Sequence, residues 1–465
     1  EYNYLKGSMQ NQTIHNNNFE FSNYSVPDEQ DSYTNTYKTE GYLARANYDY
    51  DSRYFLSASI RRDGSSRFHK DSRWGTFFSV GAGWRIDEEP FMESFKFIDL
   101  LKLRVAYGEV GNDAIGSYYA WQAAYEPAMN GLEAGYIKQR VVRNKDLQWE
   151  VSRNGDVALE FELFKNRFTG SVEYFDRRSS NLLFSIPQAP DTGTTNAYKN
   201  AGTMYNRGVE VDLSGKIIQT KDWTWSMGVN ATWLKNRITS LPVEPYNSGV
   251  HRVEEGNTIY VPDPELTENS VDLVNVDGKT YTTNVNEAIY DWAGEAMPKV
   301  SGGLNTSVSW KDLSLSLLFN FQLGGKMYDV GYVNLMTQPS GSAALTANKH
   351  VDILKRWQKP GDITDVPRIE DFADRDMNAA TSTRWLISSN MLELASATLS
   401  YNLPKQWLEK ISVHGLRVYA SGENLFLLTK RKGIVPRSNI FSGYSSNADV
   451  FLPARVFTFG LNLTF

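Results

Sequence analysis

Side chains able to hold a metal, move a proton or attack a carbon occur here without the spacings that make them work together. There is no cysteine, which removes disulfides, thiolate-held zinc and thiol catalysis. The five histidines (His15, His69, His251, His350 and His414) lie far apart, with no H-x-H or H-E-x-x-H pattern. Each reads as a single surface or interior residue. No G-x-S-x-G elbow and no phosphate loop occurs. Carboxylates are plentiful, but no pair stands out as the acid and base of a glycosidase. Residues 275–279, NVDGK, put oxygen ligands beside a glycine turn as calcium loops do. They lack the alternating acids and the distal glutamate, so a hairpin turn is the expectation. No catalytic residue, metal or cofactor is expected.

Binding chemistry is better represented. The stretch 116–127 carries Tyr118, Tyr119, Trp121 and Tyr125. Aromatic faces suit the apolar side of a sugar ring, while the hydroxyls want polar neighbours. The competing reading, packing between loops or against a partner, is the stronger one. It holds equally for Tyr290, Asp291 and Trp292. In 345–359, Leu345, Val351, Ile353, Leu354 and Trp357 fall at roughly helical spacing before a Pro360-Gly361 stop. A loop helix is expected there.

The elements that would carry such residues are strands. Phe457, Phe459, Leu461, Leu463 and Phe465 alternate with Thr458, Gly460, Asn462 and Thr464. Successive strand side chains point to opposite faces, so the segment has one apolar wall and one small, polar wall. Leu313, Leu315, Leu317, Phe319 and Phe321 alternate in the same way, as do Trp223, Trp225, Met227, Val229, Ala231 and Trp233. Aromatics at the ends with smaller apolar residues between form the girdle pattern of a lipid-facing strand. About thirteen such runs are legible between residues 42 and 465, each near the 9–11 residues that cross a tilted bilayer path. By the same parity Arg45, Asn47, Arg61 and Arg104 face a watery interior. A register slip of one residue would turn them outward.

Connections between the runs alternate short and long. Residues 51–52, 165–166, 219–221 and 311–312 are tight, whereas 111–146, 179–203, 235–298, 324–389 and 424–451 are long. A membrane barrel has short periplasmic turns and long extracellular loops; a soluble sandwich has no reason to gather every long loop at one end. Residues 1–37, rich in Asn, Gln, Ser and Tyr, read as extracellular loop and strand end, and 38–465 as barrel. Mean hydropathy is −0.45, and no apolar run approaches the roughly 18 residues of a spanning helix. A charge of −6 gives no basic face for nucleic acid. An odd, open set of strands leaves two edges that lipid cannot satisfy, so further strands are expected. No signal peptide is visible and the chain opens on Glu1, which points to an amino-terminal part beyond this sequence.

The stretch RRDGSSRFHKDSRWGTFFSVGAGWRI (61–86) resembles the SusC/RagA family of TonB-dependent outer-membrane transporters of Bacteroidota. LKLRVAYGEVGN (101–112), NAGTMYNRGVEVDLSG (200–215), LKRWQKPGDITDVPR (354–368), LELASATLSYNLP (392–404) and LRVYASGENLFLLTK (416–430) agree in order. His69 departs from the commoner glycine after the GSSRF turn. The resemblance implies the later part of a plugged barrel of about 22 strands, embedded in outer-membrane lipid. It implies active import of a large nutrient, glycan or peptide, with a SusD-like lipoprotein lid. The TonB–ExbB–ExbD motor would pull on a plug not in this sequence. The terminal strand, Phe457 to Phe465 on alternate positions, resembles the signal read by the barrel-assembly machinery. A non-energised porin or adhesin-like barrel is the alternative, and a secreted β-rich carbohydrase or lectin a more distant one.

Overall fold

The computed structural model describes residues 2–464 apart from 13–25, 123–124, 131–132, 139–140, 188–195, 249–250, 256–259, 267–272, 277–278, 283–287, 337–347, 365, 367–382, 409–412 and 437–452. Its centre is one antiparallel sheet of 13 strands. They are β1 (Thr39–Tyr50), β2 (Tyr54–Ser65), β3 (Trp74–Arg85), β4 (Ile98–Asn112), β5 (Glu150–Leu163), β6 (Phe168–Ser180) and β7 (Thr203–Gln219). The rest are β8 (Trp223–Ser240), β9 (Val300–Trp310), β10 (Leu313–Leu323), β11 (Met391–Asn402), β12 (Gly415–Thr429) and β13 (Val456–Thr464). Each pairs with the strand before and after it in the chain, an up-and-down meander. The outer edges of β1 and β13 do not meet.

The alternation read from the sequence becomes two walls. Directly opposed residues share a face, and the register is continuous from Arg45↔Ser59 through Ser59↔Ser79 and Ser79↔Gly108 into Asn154↔Gly108. On the other wall Leu56 is 50% exposed, Ile60 53% and Val105 44%, although all three lie on interior strands. A water-soluble sheet would bury such residues; here they form the surface itself, as lipid contact requires. The opposing wall carries polar cross-strand pairs such as Ser59–Ser79 (2.7 Å) and Ser309–Ser314 (2.8 Å). Gly460 sits under Tyr419, and a β-carbon there would lie 2.5 Å from the ring, so only glycine lets that aromatic lie flat on the inner wall.

Tight turns at one end are made by residues that tolerate positive φ, such as Asp51 (55°), Ser52 (51°) and Asn166 (57°), and the Asp49 carboxylate accepts the Ser52 N–H at 2.8 Å. Near the other end the β11/β12 register shifts between Leu394 and Ser396. Asn424 takes φ 52° beside that bulge and donates its amide to the Ala454 carbonyl at 3.0 Å. One extra residue re-aims the side chains beyond it, which ties β12 to the approach of β13.

Two readings change. The opening segment, expected as extracellular loop and strand end, contains an antiparallel pair, Tyr2–Gln12 with Val26–Tyr37. A ladder needs only β-compatible backbones, so a pair outside the core can form without apolar alternation. The helix expected at 345–359 is a single 3-10 turn, Val351–Lys355, and Leu345 lies outside the described residues. Only Ile353 of its apolar set is buried, while Val351 and Leu354 stay exposed. The chain turns extended at Arg356, and the Asp362 carboxylate then captures the N–H groups of Gln358 and Lys359 at 3.0 Å. An α-helix forms instead at Val330–Met336. Around NVDGK, hairpin strands Leu273–Val276 and Lys279–Thr282 pair, as expected of a turn, with residues 277–278 outside the described set.

The two walls predict opposite tolerance to charge. Val172 lies outward, 40% exposed, and Val172→Arg should cost about 2–4 kcal/mol, as a cation near the bilayer midplane does. Ser171, facing inward opposite Glu160 and Asp212, should accept Ser171→Arg within about 0.5 kcal/mol. Urea unfolding in lipid, followed by heat-modifiable gel mobility, distinguishes the two; equal costs would reject the assignment of faces.

Candidate functional site

The four polar residues assigned to the interior by parity share one wall. Asn47 is opposite Ser57, Arg61 opposite Leu43 and Phe77, and Arg104 opposite Gly83 and Ala158. Asn47 and Arg104 line one groove of about 440 Å³ floored by Gly81 and Gly83, with Phe55 and Lys102 beside them. Arg61 lines a second cleft of about 580 Å³ with Asp63, Phe77 and Trp149. Arg45 donates to the Asn47 side-chain oxygen at 3.3 Å.

Two arginines of this wall come with acids. Arg104 bonds Glu173 at 2.8 Å and lies 3.7 Å from Glu160, and Arg61 bonds Asp63 at 2.6 Å. Lys102 instead places its Nζ 5.1 Å over the Phe55 ring. Such a surface offers donors and acceptors side by side and suits polar recognition by exchange of hydrogen bonds.

Above the wall the described residues around Asp113 pack together. Around Asp113, the Tyr37 hydroxyl donates at 2.9 Å and the Ser65 hydroxyl at 2.6 Å, while Arg67 donates to its backbone carbonyl at 3.1 Å. The Arg67 guanidinium lies over both Tyr37 (4.5 Å) and Tyr118 (5.0 Å). Burial, with the hydrogen bond to Asp113, raises the Tyr37 pKa above the ordinary tyrosine value. Trp121 packs on the cluster of Phe68, Ile115, Ala120 and Leu147, edge-on to His69 at 5.1 Å. Its indole N–H is buried with no acceptor among the described residues. Tyr119 is 38% exposed, and its hydroxyl accepts the Thr36 N–H at 3.0 Å. Tyr125 opens the strand Tyr125–Asn130, and its side chain lies outside the described residues. So Tyr118 and Trp121 are engaged between loops, and Tyr119, tilted against the Tyr118 ring at 6.5 Å, stays the more exposed.

Sequence reasoning missed a second cluster. Asp329, buried, pairs with Arg431 from the loop after β12 and accepts the Tyr332 N–H at 3.0 Å. Arg431 stacks 3.6 Å above the Tyr332 ring, whose hydroxyl donates to Asp352 at 2.9 Å. Lys355 and His350 flank the same carboxylate at 2.7 and 3.2 Å. Three segments far apart in sequence are clasped there. Only the YD pair after the GG turn hinted at it, and pairing partners 102 residues apart leave no local period to read.

On the terminal strand Phe457, Phe459, Leu461 and Leu463 face outward, opposite Gly422, Ala420, Val418 and Leu416; Phe465 lies outside the described residues.

Arg431→Ala removes the guanidinium from a buried carboxylate and should cost about 3–5 kcal/mol locally. Amide exchange at residues 329–336 and 350–355 should accelerate while barrel unfolding is unchanged. Unaltered exchange would mean the clasp does not hold the loops. Tyr37 predicts a pH dependence of the other cluster. A raised folded-state pKa means its contribution is complete below the ordinary tyrosine value near 10 and lost as pH rises through the elevated one. Tyr37→Phe should abolish that alkaline loosening, read by fluorescence of Trp121.

Residues 1–425 match the model of the TonB dependent receptor-like, beta-barrel family. A TonB-dependent receptor of Formosa agariphila is 28% identical over 455 residues, covering 86% of this chain and 43% of that protein. The TonB-dependent receptor SusC of Bacteroides thetaiotaomicron is 27% identical over 471 residues, 94% of this chain and 45% of SusC. The solved RagAB peptide transporter superposes with a TM-score of 0.79 at 25% identity, covering 96% of this chain and 49% of the matched one. The chain thus spans a little under half the length of these relatives. Strand order, the two walls and these matches lead to one assignment: the chain belongs to the TonB-dependent receptor β-barrel family of the outer membrane and carries part of the barrel of its SusC/RagA branch.

Proposed function

We propose that this chain forms the later barrel strands of an energised importer that takes up a large polar nutrient, a glycan or a peptide. The observation that carries the proposal is the sheet: thirteen strands with an apolar outer wall, a charged inner wall and the long loops at one end. Further strands would close it, because lipid leaves no hydrogen-bond partner for the outer edges of β1 and β13. A plug would fill the lumen and couple it to TonB–ExbB–ExbD. A SusD-like lipoprotein would lie over the loop end, and the barrel-assembly machinery would insert the chain through its terminal strand.

Specificity in this reading comes from the inner wall and the loops, with Arg45, Asn47, Arg61, Arg104 and Tyr119 as the contacts to a cargo or to the lid. Tyr118, Trp121 and Tyr125 serve from the loop side. No covalent step is required of any residue. Work is done by moving the plug, and the wall trades hydrogen bonds with whatever passes. The family consists of transporters and receptors, which favours import over catalysis.

The test uses the full-length protein in its native outer membrane. Affinity purification should bring down a surface lipoprotein in equal amount, and a protonophore should stop uptake of the oligosaccharide or oligopeptide that the pair binds. Arg104→Ala should lower uptake about threefold to tenfold, the loss of one or two charge-assisted hydrogen bonds, without reducing the amount of assembled barrel. Uptake that continues after the protonophore would identify a passive porin instead.

A further inference from the structure

The outward wall changes character in one sector. Reading toward the long loops, the apolar row Val157, Tyr174, Val209 and Trp233 gives way to Gly155, Asp176, Arg207 and Lys235. The next row is Glu109, Arg153, Arg178, Tyr205 and Arg237. Five cations and two carboxylates thus sit side by side on β4 to β8, a surplus of three positive charges. Their parity is that of the exposed Val157, Tyr174 and Trp233, so they lie on the wall that faces lipid, just beyond the hydrocarbon band.

General interfacial anchoring would repeat such cations around the sheet. They are not repeated evenly: the last outward residues at the same end of β10, β11 and β12 are Leu323, Leu392 and Leu428, all exposed, and β2 offers Arg62, stacked over Trp74, between Tyr42 and Thr76. Within the sector the guanidiniums are held in place. Asp176 takes Arg178 at 3.0 Å and Arg207 at 2.9 Å, and Glu109 takes Arg153 at 3.1 Å. Arg153 also donates to the Ser180 hydroxyl at 2.9 Å, and Arg207 lies 4.2 Å over the Tyr205 ring. Arg153 and Arg178 nonetheless keep about half their surface open (46% and 55%). Lys235 and Arg237 have no carboxylate partner among the described residues. Planar guanidiniums fixed by neighbouring acids, with open N–H edges, are the geometry that grips phosphate oxygens in pairs, and Tyr174 and Trp233 below offer a shelf for acyl chains and sugar.

We propose that this sector binds the phosphorylated headgroup of an outer-leaflet glycolipid, with Arg153, Arg178 and Arg207 on phosphate and Lys235 and Arg237 completing the charge. The site rests on the outward face being the lipid face, which the paired arginine substitutions at residues 171 and 172 test separately.

The experiment titrates delipidated full-length protein in detergent with lipid A, with dephosphorylated lipid A and with inorganic phosphate, followed by native mass spectrometry. The variant Arg153→Gln/Arg178→Gln/Arg207→Gln should bind lipid A at least about tenfold more weakly, as the loss of several charge-assisted bonds implies. Lys235→Gln/Arg237→Gln, which breaks no ion pair among the described residues, should weaken it about threefold and decides the matter alone if the triple variant fails to assemble. Affinity unchanged in the variants overturns the proposal. So does equal binding of dephosphorylated lipid A, and inorganic phosphate binding as tightly as lipid A would reduce the sector to a simple anion site.

Discussion

Hydrocarbon offers no hydrogen bonds, and the arrangement of the thirteen strands stems from that deficit. A strand crossing it must hand each backbone N–H and C=O to a neighbour, so strands adjacent in the chain are adjacent in space and no gap opens within the sheet. The same constraint sets the two-residue period, because a sheet wet on one side and greasy on the other can be written only by alternation. It explains why exposed Leu56, Ile60 and Val105 stabilise the fold here and would undermine a soluble one.

The inner wall answers to a different rule. Water reaches it, so ion pairs such as Arg104–Glu173 and small hydroxyl pairs such as Ser59–Ser79 cost little to keep. Glycines under aromatics, as at Gly460 beneath Tyr419, keep rings flat against the wall. At the loop end burial returns: Asp113 and Asp329 each gather partners from separate loops. The contacts in these clusters offset part of the conformational entropy that ordering the connections costs.

The charged sector on β4 to β8 shows how the same strand rule can host recognition on the outside. Two residues farther along a strand the side chain leaves hydrocarbon and enters the headgroup layer, where an arginine costs little. Alternation places the cations, cross-strand neighbours orient them, and confinement to one sector sets them apart from a ring of anchors.

All thirteen strands were legible in the residues, because period-two patterning is local and each strand carries its own copy of it. The alternation of short and long connections was legible for the same reason. Packing between loops was the stronger reading for Tyr118 and Trp121, but the residues could not disclose which partners they would meet, since that depends on Arg67, Asp113 and His69 arriving from other segments. Nor could they disclose that the apolar spacing of 345–359 would yield one 3-10 turn, because Asp362 and Val366 redirect the chain by backbone bonds that no helical period encodes. Residue order was enough to set where the strands run and that each has an apolar and a polar face, while bulges such as that at Leu394 to Ser396 shift which parity belongs to which. Only folding in three dimensions settled which polar and aromatic side chains meet, since faces depend on neighbours along the chain and contacts on neighbours in space.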